Sequence, residues 1–384
     1  MFTDSYTPYV SGVVRSIQRF SRGLTTMGHT VYIFAPGYGK SDSDGIHSEA
    51  AQIFRFYSVP APTFPDFSIP IPITIKAEKL IRSLEIEVIH THSPFMTGSL
   101  GATLAKRTEL PLVFTHHTLY HEYTHYVPAP QTLAKQVCVR YLQRYCRKCD
   151  HIIAPTPLIK KLIIDLYAAP GPISILPSGI EVNQYSQYSQ AENRWLHERF
   201  SIDDQSRILL TVGRLNHEKN PQLVLEAFAN LRPHERDLHL VFVGEGREHE
   251  ILAKQAEDHG FAERVHFTGI LDAADVIQCY CSADLFLFAS ETETQGLVTA
   301  EAMAGRLPVV AVRSTGSSDL VIHGHNGYLT APDASEMARY AAKILEDAEL
   351  YQSLAANSQK TAADYSVEAT CQKLVDIYRS AGAL

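Results

Sequence analysis

The chain has 384 residues, is 45% apolar and 20% charged, and carries a net charge of −8. That length calls for two domains, and the composition is that of an ordinary soluble globular protein. No apolar run reaches the ~20 residues that cross a bilayer, and the N-terminus lacks the charged-then-apolar pattern of a secretory leader.

Six cysteines are too few for a disulfide scaffold. Cys146 and Cys149 form a Cys-x-x-Cys, but no second pair completes a zinc site. The expectation is reduced, structural thiols in a cytosolic protein. Charge is uneven: residues 1–185 hold 17 Lys+Arg against 13 Asp+Glu, a balance of +4, which leaves −12 for the rest. The first half is therefore the one suited to an anionic partner.

In chain order, Ser11–Gly28 reads as a helix and Thr30–Ala35 as a buried strand. Ile75–Leu84 (helix), Val88–His92 (strand), Thr97–Arg107 (helix) and Leu112–Thr115 (strand) continue the alternation. Gln131–Lys148 (helix) and His151–Ala154 (strand) complete the first half, and Gly179–Arg194 is polar and turn-rich, as a linker would be. The second half offers strands at Ile208–Val212, Leu238–Val243, Val265–Phe267, Leu285–Phe288 and Pro308–Val312. Helices fall near Pro221–Leu231, Arg247–His259, Ala273–Cys281 and Ser335–Glu346. Two halves of alternating strand and helix predict two parallel-sheet α/β domains. Such sheets bind ligands at the carboxyl ends of their strands, here facing a cleft between the domains.

The strand-end loops carry the candidate chemistry. Glu293 and Glu301 lie between an apolar strand and a helix-forming run, so the segment brings two carboxylates and free backbone N–H groups to one sheet edge. A ligand rich in hydroxyls and phosphates suits that set. Arg214 and Lys219 follow Gly213 and precede Pro221 at the start of a helix, which fits a diphosphate; two surface cations is the plain alternative. Gly12, just before a helix, permits close approach of a phosphate, or is an ordinary turn glycine. Gly244-Glu-Gly246 and Thr268-Gly-Ile-Leu271 end further strands, and the second offers Ile270 as a platform for a flat base.

His90, His92, His116, His117, His121 and His125 cluster within one stretch. Metal binding is one interpretation, from the i, i+4 spacings; a strand-end His117 that hydrogen-bonds a sugar is the other. Asp42 and Asp44 form an Asp-x-Asp inside a turn-rich segment and read as a solvent loop. On Gln131–Lys148, Arg140, Arg144, Arg147 and Lys148 fall within roughly a 100° arc, beside an arc of Cys138, Tyr141, Leu142 and Tyr145. Such a helix lies on an anionic membrane surface or packs with its cationic face in water. Phe64–Ile73 reads as an apolar, proline-broken loop that touches lipid or packs on the domain.

These segments together resemble the retaining glycosyltransferases of family four. The resemblance rests on Gly12-Val-Val14, Thr115-His-His-Thr118, Val212-Gly-Arg-Leu215 with Glu218-Lys219, the pair Glu293/Glu301 with Glu301-Ala-Met-Ala304, and Gly324-His-Asn-Gly-Tyr-Leu329. Phe2-Thr-Asp-Ser-Tyr6, residues 115–126 and Thr292-Glu-Thr-Gln-Gly-Leu-Val298 are similar to the diacylglycerol glucosyltransferase branch. The resemblance implies the GT-B fold, two Rossmann-like doubly wound domains: 1–185 for the acceptor and 190–365 for the nucleotide sugar. A C-terminal helix, about 366–384, would pack back on the first.

By the same resemblance, Arg214 and Lys219 hold the donor diphosphate, Glu301 the ribose and Glu293 the transferred sugar. Gly296, Leu297 and Val298 contact sugar and phosphate through backbone N–H groups. Gly12 sits under the β-phosphate, His117 beside the outer sugar hydroxyls, and Gly269 and Ile270 beside the base. The implied activity is metal-independent, anomer-retaining transfer of glucose from UDP-glucose to 1,2-diacylglycerol. It would take place at the inner face of the cell membrane on a cytoplasmic, peripheral protein, without cofactor or nucleic acid. Alternatives are a phosphatidylinositol or soluble-sugar acceptor with another donor, a non-catalytic nucleotide-sugar binder, and a nucleotide-sugar isomerase. In three respects the chain departs from the family pattern. Members usually carry a few residues before the position of Met1, which form the first strand. Arg306 stands where a glycine is usual, so the helix-ending left-handed residue is expected to shift to Gly305. His121 stands where lipid-acting members more often carry an acid.

Overall fold

The structure is a computed structural model. It describes residues 1–9, 11–38, 47–48, 51–61, 64–71, 74–121, 130–188, 193–231, 237–291, 295–314 and 316–383. Asp42, Asp44, His125 and Glu293 lie outside the described residues. The chain divides into two compact units, Met1–Gly179 with Val367–Leu384, and Ile180–Ser366.

The first unit runs α1 (Gly12–Thr26), β1 (Tyr32–Pro36), β2 (His47–Ser48), β3 (Ala51–Phe56), β4 (Ser58–Ala61), β5 (Phe64–Pro70), α2 (Thr74–Ser83) and β6 (Ile89–Thr91). It continues α3 (Met96–Thr108), β7 (Leu112–Thr115), α4 (Gln131–Cys146), β8 (His151–Ala154), α5 (Pro157–Tyr167) and β9 (Ile173–Ile175). Strands β6-β7-β8-β9 form one parallel array, and β1-β3-β2 another in which only β2 is antiparallel. Residues 1–3 join the two arrays. Phe2 bridges in parallel to Phe34 and to Thr91, its N–H donates to His90 O at 2.8 Å and its carbonyl accepts from His92 N at 2.8 Å. The Phe2 ring stacks on Phe34 with centroids 4.5 Å apart. Thus the slot of a first strand is filled by Met1-Phe-Thr3 itself.

Apolar side chains cover both faces of this sheet. One layer holds Phe2, Phe34, Phe114, Leu142, Tyr145 and Tyr167. The other holds Ile17, Phe20, Ile33, Val113 and Ile153, together with Cys371 and Leu374 from the helix Val367–Ser380. That helix lies so close to α1 that a Cβ on Gly23 would stand 2.5 Å from Cys371 Sγ.

The second unit runs α6 (Val182–Tyr185), α7 (Trp195–Phe200), β10 (Arg207–Val212), α8 (Pro221–Asn230), β11 (Leu238–Val243), α9 (His249–Asp258), β12 (Val265–Phe267) and α10 (Ala273–Ser282). Then follow β13 (Leu285–Phe288), α11 (Leu297–Ala304), β14 (Val309–Val312), α12 (Ser317–Leu320), β15 (Gly327–Thr330), α13 (Ala334–Glu346) and α14 (Ala348–Ala363). Among the described residues its six strands are all parallel, in the order β12-β11-β10-β13-β14-β15. The order reverses beside β10, so ligands are expected outside the carboxyl ends of β10 and β13.

Three sequence expectations change. The boundary falls at Gly179/Ile180 rather than at 185, because Ile180 bridges to Ser366 and the Tyr185 ring is buried in the second core. Most of the expected linker is therefore part of a folded unit. The expected loop Phe64–Ile73 is strand through Pro70, paired antiparallel with β4; Pro65 and Pro70 sit in a two-stranded ribbon, where a missing N–H is tolerated at an edge. The left-handed residue after α11 is Arg306 at φ 66, while Gly305 has φ −73. Gly305 is instead required for closeness, since a Cβ there would lie 2.9 Å from Tyr280 O.

The Gly324-His-Asn-Gly motif is structural at its centre. Buried Asn326 donates through Nδ2 to Leu320 O and Thr361 Oγ1, both at 3.0 Å, and accepts from Ile322 N at 2.8 Å. A Cβ on Gly327 would meet Val309 O of the neighbouring strand at 2.2 Å.

Because Arg306 holds a conformation that disfavours L side chains by ~1 kcal/mol or more, Arg306→Gly is expected to raise unfolding stability by roughly 0.5–1 kcal/mol. Urea denaturation with an unchanged m-value checks this, and an unchanged midpoint contradicts it.

Candidate functional site

In the second unit, three strand-end loops are stitched together by their backbones. Gly213 N donates to Val243 O and Leu215 N to Glu245 O, each at 2.9 Å, and Gly244 N donates to Gly269 O at 3.1 Å. Glu248 N reaches back to Leu215 O at 2.9 Å, and Arg247 N to Asn216 Oδ1 at 3.2 Å. The close passage requires glycine. A Cβ on Gly244 would stand 2.1 Å from Gly213 O, and one on Gly246 would stand 2.2 Å from Leu215 O.

This platform carries the two predicted cations. After β10, Gly213 opens a loop into the single 3₁₀ turn His217–Lys219, then Asn220 at φ 50 turns the chain into α8 with Pro221 in its first turn. Arg214 is exposed and pairs with Glu218 Oε1 at 3.4 Å. Lys219 stands at the end of the same turn, whose backbone is anchored by Ser290 Oγ donating to Glu218 O at 3.3 Å. Since Ser290 follows β13, the cation loop is tied to the segment leading into the glutamate pair. Gly269 has φ 69, and Ile270 beside it is 83% exposed, an apolar side chain left in the open on the same platform.

Of the glutamate pair, Glu301 is described. It sits in α11, which opens at Gly296 in the left-handed region at φ 64. Leu297 and Val298 form the first turn, where backbone N–H groups have no partner within the helix and the dipole favours an anion. Glu301 is 8% exposed and accepts a hydrogen bond from the Tyr280 hydroxyl at 3.4 Å. Burial, and then the nearby Glu301 carboxylate, push the Tyr280 hydroxyl well above its ordinary range, so it stays protonated and donates. Tyr280 was not apparent from the sequence: it comes from a different helix and carries no motif.

In the first unit the sites again follow strand ends. Asp4 follows residues 1–3, His92 follows β6, and His116 and His117 follow β7. Asp4 is buried, its Oδ1 accepting from Thr97 N and Thr97 Oγ1, both at 2.8 Å. Burial raises its carboxyl above the usual range. His117 is 8% exposed and its Nε2 lies 2.9 Å from His92 Nδ1. Burial, with His116 beside it, lowers His117 to about 3; burial brings His116 to about 4 and holds His90 and His92 well below the ordinary imidazole value. His117 is therefore a neutral hydrogen-bonding group at physiological pH. His121 bonds Tyr167 through Nδ1 at 3.1 Å. Among the described residues no three His, Cys, Asp or Glu side chains converge as metal ligands.

Gly12 opens α1 after Ser11, whose Oγ accepts from Val14 N at 3.3 Å. No described atom lies within 4 Å of where its Cβ would be, so packing does not demand a glycine there. On α4, Leu142, Tyr145 and Cys146 are buried, while Arg140 and Arg144 are exposed; the helix ends at Cys146 rather than at the expected Lys148, and exposed Arg147 and Lys148 follow it in a turn. The exposed stripe extends towards the helix start through Leu133 and Val137, which are 55% and 57% exposed. The Cys146 and Cys149 thiols are buried and raised by burial, which leaves them inert.

Residues 10–184 match Glycosyltransferase Family 4, and residues 193–361 match Glycosyl transferases group 1. The alpha-monoglucosyldiacylglycerol synthase of Streptococcus pneumoniae is 34% identical over 314 residues, 81% of this chain and 70% of that protein. The chain belongs to glycosyltransferase family four. The enzyme of the same name from Acholeplasma laidlawii is 28% identical, covering 98% of this chain and 96% of its own. Anabaena Alr3699/HepE, solved in complex with UDP-glucose, superposes with a TM-score of 0.72 at 21% identity, covering 99% of this chain and 98% of its own. A Rickettsia africae glycosyltransferase reaches a TM-score of 0.76 at 17% identity over 99% of this chain and 97% of its own. The fold is GT-B.

The buried neutral histidines make stability pH-dependent. Unfolded, each binds a proton near its ordinary value of ~6.5; folded, His116 and His117 do so only at about 4 and about 3. Their contribution is thus complete above the unfolded value. It declines as pH falls from ~6.5 towards 4, by up to ~1.4 kcal/mol per pH unit for each histidine. Asp4, raised rather than lowered, acts in the opposite sense. Urea midpoints measured at pH 7.5 and pH 5 should fall, and His116→Phe should flatten that slope. An identical slope in this variant rules out a buried, neutral His116.

Proposed function

We propose that this glycosyltransferase moves glucose from UDP-glucose to the hydroxyl of a membrane diacylglycerol, with retention at the anomeric carbon and without a metal. The observation that carries the reading is the glycine-dependent platform in the second unit. It ties Arg214 and Lys219 to the segment that leads into α11 and Glu301. Two cations and a helix N-terminus on one sheet edge supply what a diphosphate leaving group needs.

In this reading Arg214 and Lys219 neutralise the diphosphate, and the N–H groups of Gly296, Leu297 and Val298 hold phosphate and sugar. Glu301, steadied by Tyr280, takes the ribose hydroxyls, and Gly269 and Ile270 receive the uracil. Glu293 holds the transferred glucose. Gly12 lies under the β-phosphate, and His117 bonds an outer sugar hydroxyl. The acceptor oxygen forms its bond to the anomeric carbon as the bond to UDP breaks. The acceptor proton passes to the departing phosphate oxygen on the same face. UDP-glucose is α-linked, and the names of the two synthases specify an α-glucosyl product, which supports retention.

The same names support the lipid acceptor. So does α4, whose exposed stripe sets Leu133 and Val137 ahead of Arg140 and Arg144, with exposed Arg147 and Lys148 following the helix end. Apolar side chains at one end and cations at the other suit the boundary between acyl chains and anionic headgroups. Among the described residues no helix is long and apolar enough to cross a membrane, and the proposal is a peripheral protein on the cytoplasmic face.

Incubation with UDP-glucose and phosphatidylglycerol vesicles containing diacylglycerol should yield glucosyldiacylglycerol and UDP in equal amounts. Donor binding without turnover on any acceptor would indicate a binding protein, and conversion of the UDP-sugar without acceptor an isomerase. Transfer only to phosphatidylinositol or a free sugar would move the acceptor assignment. Glu293→Ala should lower transfer by on the order of 100-fold or more while UDP affinity changes little; equal loss of both would remove its role at the sugar. Arg140→Glu with Arg144→Glu should lower vesicle binding by roughly 10-fold or more, at about 1 kcal/mol per cation. Transfer to a detergent-dispersed acceptor should be preserved.

A further inference from the structure

We propose that His92 is a positioning residue that keeps its own proton on Nδ1 and so fixes His117 as the Nδ1–H tautomer, a hydrogen-bond donor towards the sugar. The inference rests on the reading of His117 as a sugar-binding group, but its structural part stands apart from activity. His92 Nδ1 and His117 Nε2 are 2.9 Å apart. Both rings are buried and neutral at physiological pH, so one proton, not two, lies between them.

Only two arrangements satisfy that bond. In one, His92 Nδ1–H donates and His117 Nε2 accepts. His117 then carries its proton on Nδ1, and His92 Nε2 is a bare lone pair. In the other, His117 Nε2–H donates, its Nδ1 is an acceptor, and His92 must carry an N–H at Nε2. His92 Nε2 is buried with no hydrogen-bond partner among the described residues. Unpaired N–H donors are rarer in protein interiors than under-satisfied acceptors, which selects the first arrangement.

The ring that makes this choice is itself held in place. His90 lies with its ring centroid 4.1 Å from that of His92. His90 is in turn fixed at both nitrogens, to Tyr378 Oη and to Thr115 Oγ1, each at 2.7 Å. His92 therefore has a defined orientation against His117, as a residue acting through another requires.

Long-range ¹H–¹⁵N spectra of ¹⁵N-histidine-labelled protein, with the His117 signals assigned by His117→Gln, read the tautomer directly. The expected result is a single His117 Nδ1–H form in the wild-type chain. His92→Phe should mix the two forms, and His92→Asn, whose amide nitrogen takes the place of Nδ1, should restore the first. UDP-glucose affinity should fall about 5-fold in His92→Phe, the worth of one hydrogen bond, with UDP affinity unchanged. A wild-type His117 that is Nε2–H or mixed overturns the proposal whether or not the variants fold, as does a His92→Phe spectrum like that of the wild type. Failure of the wild-type chain to bind UDP-glucose would overturn the sugar-binding reading instead, and the spectrum would still decide the tautomer.

Discussion

The second unit depends on the contact of backbone with backbone between its strand-end loops. A parallel sheet delivers successive loops to one edge, but nothing in the sheet itself joins them. Here the joining is done by N–H to C=O bonds from Gly213, Leu215 and Gly244, at separations only glycine permits for Gly244 and Gly246. The Asn216 side chain adds to these main-chain bonds, its Oδ1 accepting from Arg247 N. Arg214 and Ile270 stand exposed beside this seam. A platform built of main chain is stiff, and stiffness is what electrostatic stabilisation of a leaving group requires.

The first unit solves the corresponding problem with side chains. Asp4, His92 and His117 leave the ends of three neighbouring strands and bury themselves in a polar layer above the apolar core. Keeping four imidazoles neutral there needs no counter-charge, only the exclusion of water, and the result is a set of oriented imidazole donors and acceptors. That suits an uncharged ligand rich in hydroxyls, whereas the cations of the second unit suit an anionic one.

Much of this was legible in the sequence, for identifiable reasons. Buried parallel strands such as Leu238–Val243 and Leu285–Phe288 are continuous apolar runs and declare themselves. Arg214 and Lys219 could be placed because Gly213 and Pro221 mark the end of a strand and the start of a helix. Less legible were features set by distant partners. Pro70 and its neighbours looked like a loop because pairing with β4 leaves no local trace. The left-handed conformation stayed with Arg306 because Gly305 was already committed to lying against Tyr280. Tyr280 beside Glu301, and His92 beside His117, are pairs formed by the fold alone.

The helix Val367–Ser380 belongs with α1, although 187 residues of another unit, Ile180–Ser366, come between them in the chain. The first unit to be synthesised is therefore the last that can be finished. Tyr378, which holds His90, is made only after the second unit is complete in sequence. One α/β unit is thus complete in sequence while the other still lacks its last helix. The hydrogen bond from Tyr378 to His90 therefore joins the buried histidines to a helix that the chain reaches only after the whole second unit.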